Sequence, residues 1–284
     1  MISIQNLSFS YPKKDSLFHE LNWECSDGSI IGLLGKNGAG KSTFLRLLSG
    51  LIFPKNGEVK VGLQNPRDRQ PDFLKDIFLI PDELAIPIHL KVSDYTKMMA
   101  PFYPQFDFVR FEMLLKEFEI EENAKLGDFS FGQRKKVVLA FGLSTNCKLL
   151  LFDEPTNGLD IPSKSTFRKA VAANLGDQQT LIIATHLVKD VENLIDRVVI
   201  LGDGKVKLDQ DLLELSDRLI FGMAASAPDH TIYMEKHGVG VQFIRTRRAR
   251  ENQTPVSLEL LFNAVLNNSI EENSIFQTQK SEMP

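Results

Sequence analysis

Hydrophobic and polar positions near the N-terminus alternate in a way that is typical of half-buried strands. Four apolar residues between Ile2 and Phe9 approximate this alternation, which slips near Asn6. The stretch 57–62 (GEVKVG) has the pattern of another short strand. The chain up to this point is therefore predicted to be rich in strands.

Short, fully apolar runs recur further along the chain, and helix-like segments separate the later ones. Such a run suits a strand that is buried on both faces, as in a parallel sheet. The runs are 30–34 (IIGLL), 149–152 (LLLF), 181–184 (LIIA) and 198–201 (VVIL). Helical patterns cover 163–174 and 188–196. This alternation predicts an α/β domain with a parallel sheet.

Residues 84–147 lack strand-like alternation and carry long helical patterns, which predicts a helical insertion in the α/β domain. The segment is dense in aromatic residues, namely Tyr95, Phe102, Tyr103, Phe106, Phe108, Phe111 and Phe118. Two interpretations remain open for them. The aromatic side chains form the core of the insertion, or they form a surface on which a partner docks.

Beyond about Gly204 the pattern weakens. Short strands are predicted within 219–244 and a helix over 256–266. The mostly polar residues 267–284 are predicted to be frayed or disordered. The basic run between Arg245 and Arg250 is interpreted as a solvated loop, and contact with lipid headgroups or a partner is the alternative.

Composition narrows the range of functions without naming one. The chain has 284 residues, of which 43% are hydrophobic and 25% are charged, and its net charge is −4. These values are ordinary for a soluble globular protein, and mild negative charge gives no support for binding to nucleic acid. Cys25 and Cys147 are predicted to be reduced thiols rather than metal ligands. We identify no signal peptide and no membrane-spanning run.

Residues 35–43 (GKNGAGKST) match the phosphate-binding pattern GxxxxGK[ST]. An apolar run precedes the match and an amphipathic segment follows it, which is the strand–loop–helix order that the motif needs. The glycines let backbone N–H groups turn towards phosphate oxygens, and the helix directs its positive N-terminal end at the same point. Lys41 can reach the β- and γ-phosphates, and the Ser42 hydroxyl can coordinate Mg²⁺. A purely structural glycine-rich turn is the alternative.

Residues 148–154 (KLLLFDE) form a predicted buried strand that ends in two carboxylates. Asp153 is at the strand end, where a carboxylate can hold Mg²⁺, usually through water. Glu154 follows, where a carboxylate can take a proton from an attacking water. A charged helix start after the strand is the alternative interpretation.

These motifs resemble those of the ATP-binding subunits of the ATP-binding-cassette (ABC) transporter family. The resemblance covers about residues 1–210 and includes three further motifs in family order. They are the signature 129–133 (FSFGQ), the segment 157–160 (NGLD) and His186. The resemblance implies an α/β P-loop NTPase fold of the ABC type, with a mostly parallel sheet core, an antiparallel N-terminal β part and an inserted helical subdomain.

The resemblance also implies a site for ATP and Mg²⁺. The implied catalytic residues are Glu154, His186 and Asp82, and the implied metal contacts are Ser42, Asp153 and Asp82. The implied nucleotide contacts are Tyr11, Gly35, Asn37, Gly38, Gly40, Lys41, Ser42, Thr43, Ser130, Gly132 and Gln133. The family's histidine contacts the γ-phosphate and orients the region of the catalytic carboxylate.

Some of these positions have a second interpretation. Tyr11 matches the aromatic residue that stacks on adenine, and an ordinary strand-end tyrosine is the alternative. Ser130 and Gly132 match residues that contact the γ-phosphate held by the opposite subunit. A helix N-cap is a compatible second role for Ser130.

The chain departs from the family pattern at two places. The signature commonly reads LSGGQ, whereas here Phe129 and Phe131 occupy its first and third positions. Asp82 takes the place of a glutamine that commonly follows Pro81, which puts that residue's metal and coupling role in doubt. A solvated turn is the alternative for Asp82. The basic residues 134–136 after the signature are predicted to form an exposed helix face.

The predicted organisation has an ATPase core over 1–83 and 148–210, a helical subdomain with the signature over 84–147, a small C-terminal extension over 211–266, and the tail. The resemblance implies a second ATP-binding subunit, in a homodimer or a heterodimer, and separate transmembrane subunits. It implies a cytoplasmic protein, peripheral on the inner face of the membrane, that energises a transporter by ATP-driven closure and opening of the dimer. A soluble ABC ATPase and a regulatory ATP-binding module with impaired hydrolysis are the alternatives.

Overall fold

Parallel strands that are buried on both faces form the centre of the molecule, as their apolar sequences require. The computed structural model describes residues 1–238 and 240–270. Within them the strands are β1 (Ile2–Phe9), β2 (Phe18–Cys25), β3 (Ile30–Gly35), β4 (Asn56–Val61), β5 (Ile77–Ile80), β6 (Leu149–Asp153), β7 (Thr180–Thr185), β8 (Arg197–Gly202), β9 (Lys205–Asp211), β10 (Leu219–Ala224), β11 (Thr231–His237) and β12 (Gly240–Thr246). The α-helices are α1 (Lys41–Leu48), α2 (Pro71–Leu74), α3 (Val92–Met99), α4 (Phe108–Glu117), α5 (Phe131–Ser144), α6 (Ile161–Asn174), α7 (Val188–Val191), α8 (Leu212–Arg218) and α9 (Leu258–Leu266). The tail predicted over 267–284 lies outside the described residues from position 271 onward.

The central sheet has the strand order β5-β6-β7-β3-β8-β9. Its first five strands run parallel, and β9 is antiparallel to β8. All residues of β6 and β7 are buried, which accounts for their unbroken apolar runs. The predicted α/β fold with a mostly parallel sheet is confirmed. Two strands were not predicted from the sequence pattern: β5, which is four residues long, and β9, which buries a single residue fully.

The N-terminal strands form a separate antiparallel sheet in the order β2-β1-β4. Asn6 has a φ of 49°, and the register of β1 with both neighbours shifts around it. The slip in the alternation is therefore a β-bulge. The sheet packs on α1, where the rings of Trp23 and Phe44 meet edge to face at 5.3 Å. The Trp23 indole also donates a hydrogen bond of 2.9 Å to Asp209 of β9.

Helices α3, α4 and α5 lie between β5 and β6 in the chain, and their buried side chains are continuous with one face of the central sheet. Tyr95, Phe111 and Phe118 are buried in this cluster, several of whose rings contact one another edge-on. Phe102 and Phe108 are exposed. The aromatic residues of this segment thus divide between core and surface, so neither interpretation covers all of them.

The helix predicted over 188–196 is shorter in the structure, where α7 ends at Val191. The chain must turn there because Asp196 is tied to the first residue of β3. The Ile30 amide donates to the Asp196 carboxylate at 2.9 Å, and the Asp196 amide donates to the Ile30 carbonyl at 3.0 Å. This tertiary contact overrides the helical pattern.

The C-terminal extension is a small antiparallel sheet, ordered β10-β12-β11, that packs with α8 and α9. Part of the basic run, which begins in β12, is partly buried and paired with other groups rather than fully solvated. Arg245 makes a two-point ion pair with Glu251 at 2.8 and 2.9 Å, which lowers the pKa of that carboxylate to about 2. Arg247 donates to the backbone carbonyls of Asp217 and Glu251. These contacts hold the loop that follows β12 against the rest of the C-terminal extension.

Across the described residues, no helix combines the length and the apolar character needed to cross a membrane.

Candidate functional site

The loop between β3 and α1 presents Lys41 at the N-terminus of a helix. Gly40 caps this helix with a φ of 101°, and a Cβ atom there would lie 2.7 Å from the Phe18 ring, so only glycine fits. Lys41 is buried and donates a hydrogen bond of 2.9 Å to the Gly35 carbonyl. Burial lowers the pKa of Lys41, and the charges of Glu154 and Asp153 oppose that shift. The ammonium group is thus held inside the loop, beside the helix end that favours anions.

The end of β6 places Asp153 beside α1. Asp153 as a whole is 4% exposed, and among the described residues its Oδ1 atom has no hydrogen-bond partner. Burial raises the pKa of Asp153, and a hydrogen bond with Ser42 opposes that shift. An unpartnered buried oxygen beside a hydroxyl is a costly arrangement for the protein alone. Carboxylate and hydroxyl oxygens are donors that suit Mg²⁺, so these two residues fit that ion.

Glu154 is held by three hydrogen bonds from the end of β7. Thr185 donates to Oε2 at 2.8 Å, the His186 amide donates to Oε1 at 3.0 Å, and His186 Nδ1 lies 2.7 Å from Oε1. The backbone of Glu154 has a φ of 46°, and its amide donates to the Ala184 carbonyl at 2.8 Å. A non-glycine residue in this region is uncommon and marks a position fixed by its surroundings. The carboxylate is therefore oriented in advance, which is what a general base needs.

Tyr11 follows β1 and lies on the same side as these groups. Its hydroxyl is 3.1 Å from the Thr43 hydroxyl, and its ring meets the Phe9 ring edge to face at 5.0 Å. The Lys14 ammonium lies 5.9 Å from the centre of the Tyr11 ring. One face of an aromatic ring is thus held beside the phosphate-binding loop.

An open cavity of about 580 Å³ brings these residues together. It is lined by Tyr11, Lys14, Asp15, Leu17, Asn37, Gly38, Gly40, Lys41, Ser42, Thr43, Asp82, Glu154 and His186. Three of these residues were not predicted from the sequence, although they follow closely on Tyr11: Lys14, Asp15 and Leu17. Of the other predicted residues, Gly35 accepts the Lys41 hydrogen bond, and Asp153 lies behind the loop beside Ser42.

Ser130, Gly132 and Gln133 do not line this cavity. They form the N-terminus of α5, where Ser130 accepts from the Gln133 amide at 3.2 Å and the Gln133 side chain accepts from the Ser130 amide at 2.9 Å. This capping box satisfies two amides of the first turn. The predicted N-cap role of Ser130 is present, and the helix end remains exposed to a ligand from outside the chain.

Asp82 lines the cavity, and its Oδ1 atom lies 3.4 Å from Asn157 Nδ2 and 3.9 Å from Lys135 Nζ. The predicted exposed face over 134–136 is wrong for Lys135, whose side chain is fully buried. The residue lies on the side of α5 that packs on the loop containing Asp82, so its alkyl chain is covered while the ammonium group reaches that loop.

Comparison with known proteins identifies the family to which this site belongs. The sequence profile described as "ABC transporter" matches residues 18–157. The SkfA peptide export ATP-binding protein SkfE of Bacillus subtilis (strain 168) is 34% identical over 214 residues, which cover 74% of this chain and 88% of that protein. The ABC transporter ATP-binding protein NatA of the same organism is 30% identical over 217 residues, which cover 72% of this chain and 87% of NatA.

Solved structures agree on the fold. The ATP-binding subunit of an ABC transporter superposes with a TM-score of 0.68 at 23% identity, over 75% of this chain and 91% of that chain. A dimeric ATP-binding cassette in a post-hydrolysis state, bound to ADP and phosphate, has a TM-score of 0.65 at 23% identity, over 75% and 99%. Together with the phosphate-binding loop and the carboxylates at the end of β6, these relationships show that the chain belongs to the ABC transporter family, as one of its ATP-binding subunits.

Proposed function

We propose that this subunit hydrolyses ATP in the cavity between Tyr11 and His186 and thereby energises a transporter. The observation that carries the proposal is the Glu154 carboxylate, which Thr185 and His186 hold at the edge of the cavity that contains Lys41. Glu154 takes a proton from the attacking water, the water oxygen bonds to the γ-phosphorus, and the bond to the β-phosphate oxygen breaks. The products are ADP and inorganic phosphate.

Lys41 and the amides of the phosphate-binding loop bind and orient the phosphates in this proposal, and Tyr11 supplies a flat apolar face for adenine. Ser42 and Asp153 would hold Mg²⁺, with Asp82 as a further oxygen donor on the cavity wall. When bound, the ion neutralises charge on the phosphate oxygens. His186 keeps the Glu154 carboxylate in place and faces the position of the γ-phosphate.

A second cassette completes each site in our proposal. Ser130 and Gly132 lie outside the cavity of their own chain, on an exposed helix N-terminus that suits a phosphate. Two subunits that meet head to tail would bring this helix end of each to the nucleotide of the other. Asp160, which caps α6 through the Ser163 amide, would lie near that contact. The geometry fits a homodimer and a pair of paralogous subunits equally.

We further propose that the helical subdomain over 84–147 passes the motion to separate transmembrane subunits at the inner face of the membrane. An apolar groove of about 740 Å³ lies between α1, α2 and the segment that follows α3. Phe102 is 67% exposed on its rim, and Leu51 is 54% exposed. Such a groove suits an amphipathic helix from a membrane subunit. Because the name of SkfE describes peptide export, a peptide exporter is the transporter type that we favour.

The Glu154→Gln substitution tests the catalytic proposal. It keeps the size of the side chain and removes the proton acceptor, so ATP binding should persist while phosphate release falls by about 10² to 10⁴-fold. Glu122→Gln, at an exposed position between α4 and α5, is the matched control. Unchanged turnover in Glu154→Gln would remove Glu154 from the role of base.

Co-purification from gently solubilised membranes tests the partner proposal. The tagged Glu154→Gln protein with ATP should recover a stoichiometric polytopic membrane protein. Phe102→Glu should lose that partner, whereas Val109→Glu, at an exposed position on α4 outside the groove, should retain it. Recovery of soluble partners alone would favour a soluble ABC ATPase instead.

A further inference from the structure

The two departures from the family pattern, Asp82 and Phe131, meet at a single buried side chain. Lys135 is fully buried although lysine is among the residues least often found inside a protein. Its ammonium group lies 3.9 Å from the Asp82 carboxylate and 3.4 Å from the Asp82 carbonyl. On its other side it lies 5.6 Å from the centre of the Phe131 ring. Each departure therefore supplies a favourable contact for the same cation.

The Phe131 ring extends this contact to the loop that follows Glu154. A Cβ atom at Gly158, whose φ is 80°, would lie 2.8 Å from the Phe131 ring, so the ring packs directly on that backbone. The neighbouring Asn157 amide group donates to the Asp82 carboxylate at 3.4 Å. Three segments that are separate in the chain thus meet around Lys135: the loop with Asp82 and the first turns of α5 contact it, and the loop 157–158 contacts both of them.

The charges explain why a lysine is needed here. The Lys135 side chain is fully buried, and the Asp82 carboxylate lies 3.9 Å from its ammonium group. Without a neighbouring carboxylate, a buried ammonium group would be strongly destabilising. Conversely, an unpaired aspartate on the cavity wall would repel a polyanionic nucleotide. The Asp82 charge thus offsets the cost of burying the Lys135 ammonium group, and the Lys135 charge offsets the repulsion between Asp82 and the phosphates.

We infer that Lys135 is a positioning residue that holds Asp82 in a charge-neutral pair and, with Phe131, fastens the cavity wall to the helix end that carries Ser130. The inference rests on the proposed ATP hydrolysis. In this arrangement Asp82 lines the cavity without adding net negative charge beside the phosphates.

A double-mutant cycle on the purified full chain tests this pair. Asp82→Gln restores the residue common in the family and leaves the buried ammonium without its carboxylate, so Tm should fall by about 5 °C or more. Lys135→Met should raise KM for Mg-ATP about tenfold, because the carboxylate then stands unpaired beside the phosphates. The double variant should recover both values to within about threefold in KM and a few degrees in Tm, because the glutamine amide still offers an oxygen to the cavity.

Lys116→Met, which removes an exposed lysine from α4, is the control for loss of a positive charge and should alter neither value. The effect of Asp82→Gln does not depend on repacking of the core, because the Asp82 side chain is 43% exposed. Strictly additive effects on Tm and on KM would overturn the inference. A purely structural lysine would lower Tm and leave KM unchanged. If the unmodified protein hydrolyses no ATP, the proposed function fails, while the Tm cycle still reports on the pair.

Discussion

At the scale of single residues, Asp153 shows how the site is arranged for a ligand rather than for stability. Its buried Oδ1 atom meets no hydrogen-bond donor in the part of the chain that the structure describes. The pKa of Asp153 is raised by burial, so the folded protein binds a proton here more readily than the unfolded chain does. Stability from this group is therefore present at low pH and lost as pH rises through the raised pKa.

Asp153→Asn should consequently raise the Tm of the nucleotide-free protein at pH 7, because it removes the free-energy cost of burying an ionised carboxylate. Each kcal/mol of that cost corresponds to about 2–4 °C in Tm. The gain should vanish below the pKa of an unfolded aspartate, where the carboxylate is protonated in both states. The same variant should lose the stabilisation that we expect Mg²⁺ with ATP to give to the unmodified protein. Thermal unfolding at several pH values, with and without Mg-ATP, measures both effects. A lower Tm for the variant at pH 7 would contradict this account.

The glycines of the phosphate-binding loop allow a second prediction with a matched control. Gly40→Ala adds a Cβ atom 2.7 Å from the Phe18 ring at a φ of 101°, so we expect loss of nucleotide binding and a loss of about 1–3 kcal/mol in stability. Gly62→Ala shares a positive φ, 61°, but its Cβ atom would meet nothing within 4 Å. It should cost about 1 kcal/mol and keep nucleotide binding. Equal losses in both variants would show that backbone strain alone, not the Phe18 contact, restricts Gly40.

Some residues of the site follow from sequence, and others need the folded chain. Lys41, Asp153 and Glu154 come from contiguous motifs whose strand and loop context is readable in one dimension. Lys135 shows the opposite case. Charged residues usually lie on the surface, and its burial depends on Asp82, which is 53 residues away in the chain and next to it only after folding.

At the scale of elements, burial explains which strands could be predicted from the sequence. Strands β3, β6, β7 and β8 are buried on both faces, so their sequences are continuous apolar runs. The edge strand β9 has one antiparallel neighbour and partial burial, and its sequence carries no such run. The helix α7 ends early because a tertiary hydrogen bond fixes Asp196, which no local pattern reveals.

Helix α5 offers a prediction that separates its two roles at Ser130. Ser130→Ala removes the cap and should cost about 1 kcal/mol of stability, whereas Ser130→Asp keeps a capping oxygen and should retain most of it. Both variants should impair ATP hydrolysis, and the aspartate variant more strongly, because in the proposed dimer its charge would repel the phosphate held by the opposite subunit. Tm and steady-state turnover distinguish the roles. Full turnover in Ser130→Asp would show that the helix end contacts no phosphate.

At the scale of the whole molecule, the position of α5 outside its own cavity predicts a nucleotide-dependent change in mass. The Glu154→Gln protein should be a monomer without nucleotide and a dimer with Mg-ATP, because slow hydrolysis holds the closed state. Light scattering after size exclusion measures this. Adding the Ser130→Asp substitution should prevent the dimer. A dimer that forms equally with and without ATP would place the contact elsewhere on the surface.

The packing of Trp23 has a spectroscopic consequence. Trp23 is the single tryptophan of the chain, it is 4% exposed, and its ring contacts Phe44 in the helix that begins with Lys41. All indole fluorescence of the protein therefore originates at the back of the phosphate-binding helix. A shift of that helix on nucleotide binding should alter the emission intensity, so the unlabelled protein carries its own optical reporter of ATP.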